Sequence, residues 1–168
     1  MTIYNMSSLP IEIYTDGSCM KTLKGNLLCG YGVYFPGKEY RDISRRFKVK
    51  PLTNQRTELY AIYKAIRRVY KHDKTKDIII YSDSEYSIKC VTVWITQWKK
   101  NNWRTANRKE VLNQDLIMKI DKIMGKYRGT IKFIHVRAHT GKQDKLSINN
   151  DIVDKLAKAG ARKNIIKV

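Results

Sequence analysis

Acidic residues are scarce in this chain: 15 Asp and Glu stand against 34 Lys and Arg, a formal net charge of +19. About half of that charge would suffice for solubility, so the excess points to a polyanionic partner, nucleic acid first. Cysteine is thin as well. Cys19, Cys29 and Cys90 form an odd, scattered set without a CxxC pair, which argues against a disulfide scaffold or a zinc site and favours a reducing compartment. No run approaches the ~20 apolar residues of a membrane span. The N-terminal "MTIYNMSSLP" lacks the charged region and apolar stretch of a signal peptide. Repeats, low-complexity tracts and linkers are missing too. The expectation is one domain over residues 1–168, intracellular (cytoplasmic or nuclear), monomeric and not membrane-bound.

What is present suits a globular fold. With 42% hydrophobic and 29% charged residues, 168 residues are enough to bury a sizeable core. Residues 10–16, 30–37 and 39–49 alternate or run apolar as strands and suggest an antiparallel opening, with Pro36-Gly37 as a turn. In 54–71, Leu59, Ile62, Ile66 and Val69 recur at helical spacing. "DIIIYSD" (77–83) is a continuous apolar run, as in a strand buried on both faces. Helix follows from Ser84, broken around "KKNNW", then a helix near 113–127, a fifth strand at 130–136 and a last helix at 150–163. This order predicts an α/β protein with a mixed sheet and packed helices.

Two strands end alike, "IYTD" at Asp16 and "IYSD" at Asp83. As parallel neighbours they would set both carboxylates at the carboxyl edge of the sheet, where open α/β sheets place ligands. Alone, Asp16 before Gly17 reads as a turn, and Asp83 before Ser84 as a helix cap. Glu58 shares the core-facing stripe of its helix, where an ionised carboxylate is costly without a positive partner. Arg56 or a lysine is one candidate partner. Asp154 lies on the small-residue edge of the last helix with Ala157 and Ala161, and Asp151 competes for its role. Clustered acids in so basic a chain repel one another and call for hard cations such as Mg²⁺ or Mn²⁺. With a phosphate substrate, that pattern suits two-metal phosphodiester hydrolysis.

"YTDGSC", "TNQRTELYAIYKAI", "YSDSEYSIK", "WKKNNWRTANRKEVLN" and "HTG…NNDIVDKLAKAGA" together resemble type 1 ribonuclease H, in order, from about Ile11 to Ala161. The resemblance implies an RNase H-like fold: a five-stranded mixed sheet, its first three strands antiparallel, with helices on both faces. It implies an endonuclease that cuts the RNA strand of RNA–DNA hybrids, leaving 5′-phosphate and 3′-hydroxyl ends. Asp16, Glu58, Asp83 and Asp154 match the family's metal-holding carboxylates, with two Mg²⁺ ions as cofactor and Mn²⁺ able to substitute. Asp154 is preferred to Asp151 because of the "DKLA" that it opens. His139 matches a loop histidine that assists proton transfer and product departure. Thr53, Asn54 and Gln55 match the segment that reads 2′-hydroxyls, and Thr53 with Asn113 resembles part of a DNA-phosphate pocket. Residues 94–113 look like the family's basic protrusion, with Trp94 and Trp98 one helical turn apart beside Lys99, Lys100, Arg104, Thr105, Arg108 and Lys109. Trp103 reads better as a core residue.

The chain departs from the family pattern in places. The loop between His139 and Asp154 is longer than usual, Pro51 stands where relatives carry a phosphate-pocket arginine, and Glu85 occupies an often apolar place. Thr22 stands where close relatives place an asparagine that contacts the RNA, and Ala106 replaces a hydroxyl residue in the basic region. Two alternatives stay open at this stage: an inactive hybrid-binding module on the same fold, and the nuclease part of a reverse transcriptase polyprotein.

Overall fold

A computed structural model of the chain describes residues 9–163. The ends of the expected 1–168 domain lie outside the described residues. Five strands form one sheet in the order β3-β2-β1-β4-β5. β1 (Ile11–Lys21) pairs antiparallel with β2 (Leu27–Tyr34), and β2 pairs antiparallel with β3 (Ile43–Phe47). β4 (Ile78–Ser82) runs parallel to β1, and β5 (Ile131–His135) parallel to β4. The mixed sheet with an antiparallel opening is therefore as expected.

The helices are α1 (Asn54–His72), α2 (Glu85–Lys89), α3 (Ile95–Lys100), α4 (Gln114–Lys126) and α5 (Lys145–Arg162). One π-helical turn, Cys90–Trp94, joins α2 to α3. The break expected near "KKNNW" is there: Asn102 and Trp103 take left-handed backbone angles, φ 51° and 59°, which no continuing helix allows. α5 begins five residues before the expected start, because the Asp144 side chain accepts the Ser147 N–H and caps it.

The two faces of the sheet bury different helices. Leu59, Ile62, Ala65, Ile66 and Val69 on α1 are fully buried against Ile13, Val33 and Ile80. Burying each of the larger side chains contributes about 1.5–3 kcal/mol. Tyr14, Tyr81 and Val136 point the other way, onto Val153 of α5. β2 shows why α5 fits so closely. Its α1 side carries Cys29, Tyr31 and Val33, whereas the alternate positions facing α5 are Gly30 and Gly32. A Cβ on Gly32 would stand 2.7 Å from the Val153 carbonyl oxygen, so only glycine lets the helix backbone approach.

One expectation is overturned. Cys19 and Cys29 face each other directly across the β1–β2 ladder, Cα atoms 4.1 Å apart, and form a disulfide. The antiparallel register, which spacing along the chain does not reveal, makes them neighbours. Cys90 is free and buried. The cysteines thus give no support to a reducing compartment. No helix among the described residues is long and apolar enough to cross a membrane.

Candidate active site

The parallel pairing of Thr15 with Ser82 sets Asp16, the next residue of β1, and Asp83, the first residue past the end of β4, side by side at the carboxyl edge of the sheet. Asp16 is not in a turn: β1 continues through Gly17 to Lys21, paired with β2. Asp83 is not the cap of the following helix either; Ser84 is, its hydroxyl accepting the Ser87 N–H. Both bland alternatives are thereby removed.

Glu58 comes from the other layer. Thr53 caps α1 by accepting the Arg56 N–H. The first turn of α1 then crosses directly over Gly17, where a Cβ would stand 2.6 Å from the Glu58 nitrogen. The bare glycine lets Glu58 reach Asp16. One carboxylate oxygen from each of Asp16, Glu58 and Asp83 lies within 4.8 Å of the others.

Arg56, one candidate partner of Glu58, does not neutralise this group. Its buried guanidinium turns to Asp115 on α4, with two hydrogen bonds of 2.7 Å. Among the described residues, no ion pair reaches Asp16, Glu58 or Asp83. Burial pushes the Asp16 carboxyl up to about 7, and the negative charge of Asp83 adds to the rise. Burial also holds Glu58 well above the carboxylate range, with the Asp16 charge and a proton shared with Asp16 acting in the same direction. Glu58 Oε2 is buried and has no hydrogen-bond partner. A buried oxygen without a donor, beside two further hard oxygen ligands and no counter-cation, fits a divalent ion of the Mg²⁺ type.

Asp154 is near but outside this triad. Its charge acts on Asp16, yet its Oδ2 is 2.7 Å from the Lys158 ammonium, one turn along α5. Val153 before it and Ala157 one turn along α5 are buried, as the small-residue edge predicted. His139 is exposed on the loop before α5, at φ 48°. Thr53, Asn54 and Gln55 are exposed at the start of α1, and Asn54 Oδ1 accepts the Cys19 N–H at 2.8 Å. Asn113 is buried in a left-handed conformation and donates to the Tyr86 hydroxyl at 3.0 Å.

The protrusion is ordered by aromatic contacts. Tyr86 meets Trp94 edge-on at 6.0 Å, and Trp94 lies 5.8 Å from Trp98. The shared face expected of the two tryptophans is present. Trp98 and Trp103 also pack on the core, as expected for Trp103. Lys99 is paired with Asp121 at 2.9 Å, whereas Lys100 is exposed. The Arg104 guanidinium donates to the Arg108 carbonyl, and the Thr105 hydroxyl accepts the Lys109 N–H, closing the loop. Glu85 points outward and pairs with Lys89 at 2.8 Å.

Two residues at the site escaped the sequence reasoning. Asn150 donates to Asp83 Oδ2 at 3.2 Å, while its own Oδ1 is buried without a partner. Its position four before Asp154, on the same side of α5, was the available signal. His135 Nε2 lies 3.2 Å from the Asp83 carbonyl oxygen; the end of β5 beside β4 places it there, and no local pattern marks it.

Fold and site define an α/β protein with an acidic, cation-competent centre at the sheet edge. The model of the RNase H family matches residues 9–162. A Ribonuclease H from Actinobacillus succinogenes is 37% identical over 153 residues, covering 90% of this chain and 89% of that protein. Ribonuclease H1 of Rattus norvegicus is 32% identical over 155 residues, 92% of this chain, which thus spans only 51% of the rat protein's length. In fold, the chain resembles the solution structure of the PFV RNase H domain, with a TM-score of 0.72 at 21% identity over 90% of this chain and 93% of that one. The chain belongs to the RNase H family.

Proposed function

We propose that this chain is an endoribonuclease that hydrolyses the RNA strand of RNA–DNA hybrids and leaves 5′-phosphate and 3′-hydroxyl ends. The observation that carries the reading is the Asp16–Glu58–Asp83 triad, gathered within 4.8 Å without a counter-cation in a chain of charge +19. Asp16, Glu58 and Asp83 would hold two Mg²⁺ ions, with Asp154 completing the set once it leaves Lys158; Mn²⁺ can substitute. When bound, such ions activate the attacking water and stabilise the leaving 3′-oxygen. Asn150 orients the Asp83 carboxylate by its hydrogen bond. His139, on its exposed loop, reaches the cleaved phosphate and assists its departure.

The surrounding residues sort the strands. Asn54 and Gln55 present amide groups to the 2′-hydroxyls of RNA, with Asn54 oriented by the Cys19 backbone. Thr53 and Asn113 bind a phosphate of the DNA strand. The exposed Trp94 face and the cations Lys99, Lys100 and Arg104 take the DNA sugar-phosphate chain, with Thr105 shaping their loop. The chain acts as a single-domain monomer with residues 94–113 as its protrusion, inside the cell.

The test uses end-labelled RNA–DNA hybrid, double-stranded RNA and double-stranded DNA, each with Mg²⁺ and with EDTA. Metal-dependent cutting of the hybrid's RNA strand alone is the expected result. Tight hybrid binding without cutting would overturn it and leave an inactive binding module.

A further inference from the structure

A second concentration of positive charge lies far round α1 from the carboxylates. Arg67 is nine positions beyond Glu58, about two and a half helical turns, so it projects from the opposite side of the helix. It lines two adjoining cavities. The first, about 180 Å³, is walled by Arg45 of β3 and by Lys64, Arg67, Arg68 and Lys71 of α1. The second, about 360 Å³, is a groove between α1 and α4 with Tyr63 and Tyr70 along α1 and Lys119, Lys122 and Lys126 along α4. Arg67 and Lys71 belong to both.

Among the described residues, no carboxylate is paired with this charge: none of the ion pairs includes Arg45, Lys64, Arg67, Arg68 or Lys71. Arg68 has only a carbonyl, that of Arg41, at 3.2 Å. Burial pushes the Lys64 ammonium below its ordinary pKa, and Arg67, Arg45, Lys71 and Arg68 add to the effect. Five cations crowded around one pocket are mutually repulsive, and a polyanion relieves that repulsion. The neighbouring groove adds aromatic surface: Tyr63 and Tyr70 are half-buried, with the Lys119 ammonium 5.3 Å from the Tyr63 ring centre.

We propose that the two cavities form a second nucleic-acid site, separate from the catalytic edge, that takes single-stranded nucleic acid by its phosphates and stacks bases on the tyrosines. Single strands fit better than duplex because the phosphate pocket is small, about 180 Å³, and the adjoining groove is lined by Tyr63 and Tyr70, on which unpaired bases can stack. The site would hold an unpaired stretch that flanks a duplex lying on the carboxylates. It does not depend on the chain being a nuclease, and its test is a binding measurement in EDTA.

Arg67→Gln/Lys71→Gln removes the two cations shared by both cavities and relieves like-charge crowding on an accessible helix face, so the fold is kept. Anisotropy titration with a labelled 30-mer of single-stranded DNA should show more than about tenfold weaker binding near 0.1 M salt, with the log–log salt slope reduced by about 1.4, roughly 0.7 for each cation removed. The control, Arg128→Gln/Lys132→Gln, takes the same charge from the opposite edge of the sheet and should change affinity less than about twofold. Tyr63→Leu should weaken binding about threefold without altering the slope. In the wild-type protein, bound DNA should protect Lys64 and Lys71 from acetylation read by mass spectrometry. Unchanged affinity and slope in the Arg67/Lys71 variant, an equal loss in the control, or unprotected lysines would each overturn the site. An unaffected Tyr63→Leu would overturn the stacking and with it the single-strand assignment.

Discussion

Arg56 and Asp115 are joined by two hydrogen bonds of 2.7 Å, and this fork ties the helix that carries Glu58 to the start of α4. Arg56 is 3% exposed whereas Asp115 is 58% exposed, so the arginine bears the burial and the aspartate keeps it charged at tolerable cost. Asp115→Asn leaves the guanidinium buried and half-answered and should lower stability by about 2–3 kcal/mol. Arg56→Met/Asp115→Leu should recover part of that loss. Thermal midpoints of the wild type, Asp115→Asn and the double variant check it.

Asp16 makes the metal-free protein pH-sensitive. Its folded-state pKa is raised from 3.8 to about 7. Between those values the unfolded chain has lost the proton and the folded one keeps it, so stability falls as pH rises from about 4 to about 7 and the full deficit remains above. A shift of about three units corresponds to roughly 4 kcal/mol at most, shared with Glu58. Asp16→Asn should therefore stabilise the metal-free protein at neutral pH by about 2–3 kcal/mol, flatten its pH dependence, and abolish cleavage while leaving hybrid binding. Denaturant titrations in EDTA from pH 4 to 8 measure the first two effects.

Asp154 should matter less than the triad. Its carboxylate rests on Lys158 at 2.7 Å rather than among the other acids, so it can join the metals only by giving up that pair. We expect Asp154→Asn to slow cleavage about 10- to 100-fold, against a loss beyond detection for Asp16→Asn, each 10-fold being about 1.4 kcal/mol of barrier. Lys158→Gln frees the carboxylate and should lower the Mg²⁺ concentration needed for half-maximal rate. A Mg²⁺ requirement unmoved by Lys158→Gln would refute this picture of Asp154.

Gly32→Ala tests the packing of α5. Its Cβ would meet the Val153 carbonyl and the Ala157 nitrogen, at 2.7 and 2.9 Å, both backbone atoms that cannot rotate away. The cost should be about 1–3 kcal/mol. Gly25→Ala in the β1–β2 hairpin has open space around it but a φ of 79°, so its cost should stay near 1 kcal/mol and come from backbone strain alone. Chemical denaturation of the two variants separates clash from strain.

Much of this protein was legible in its sequence, because local chemistry repeats with the period of the element that carries it. The stripe of Leu59, Ile62, Ile66 and Val69 determined α1 and its buried face. The twin endings "IYTD" and "IYSD" determined that Asp16 and Asp83 would be neighbours if their strands ran parallel. Tertiary structure decided what depends on partners distant along the chain. The strand register joined Cys19 to Cys29, the packing of α4 drew Arg56 to Asp115 and away from Glu58, and the seating of α5 left Asp154 with Lys158 while bringing Asn150 to Asp83. A residue type and its spacing carry its own chemistry; which opposite group lies within bonding reach is settled only when the layers close.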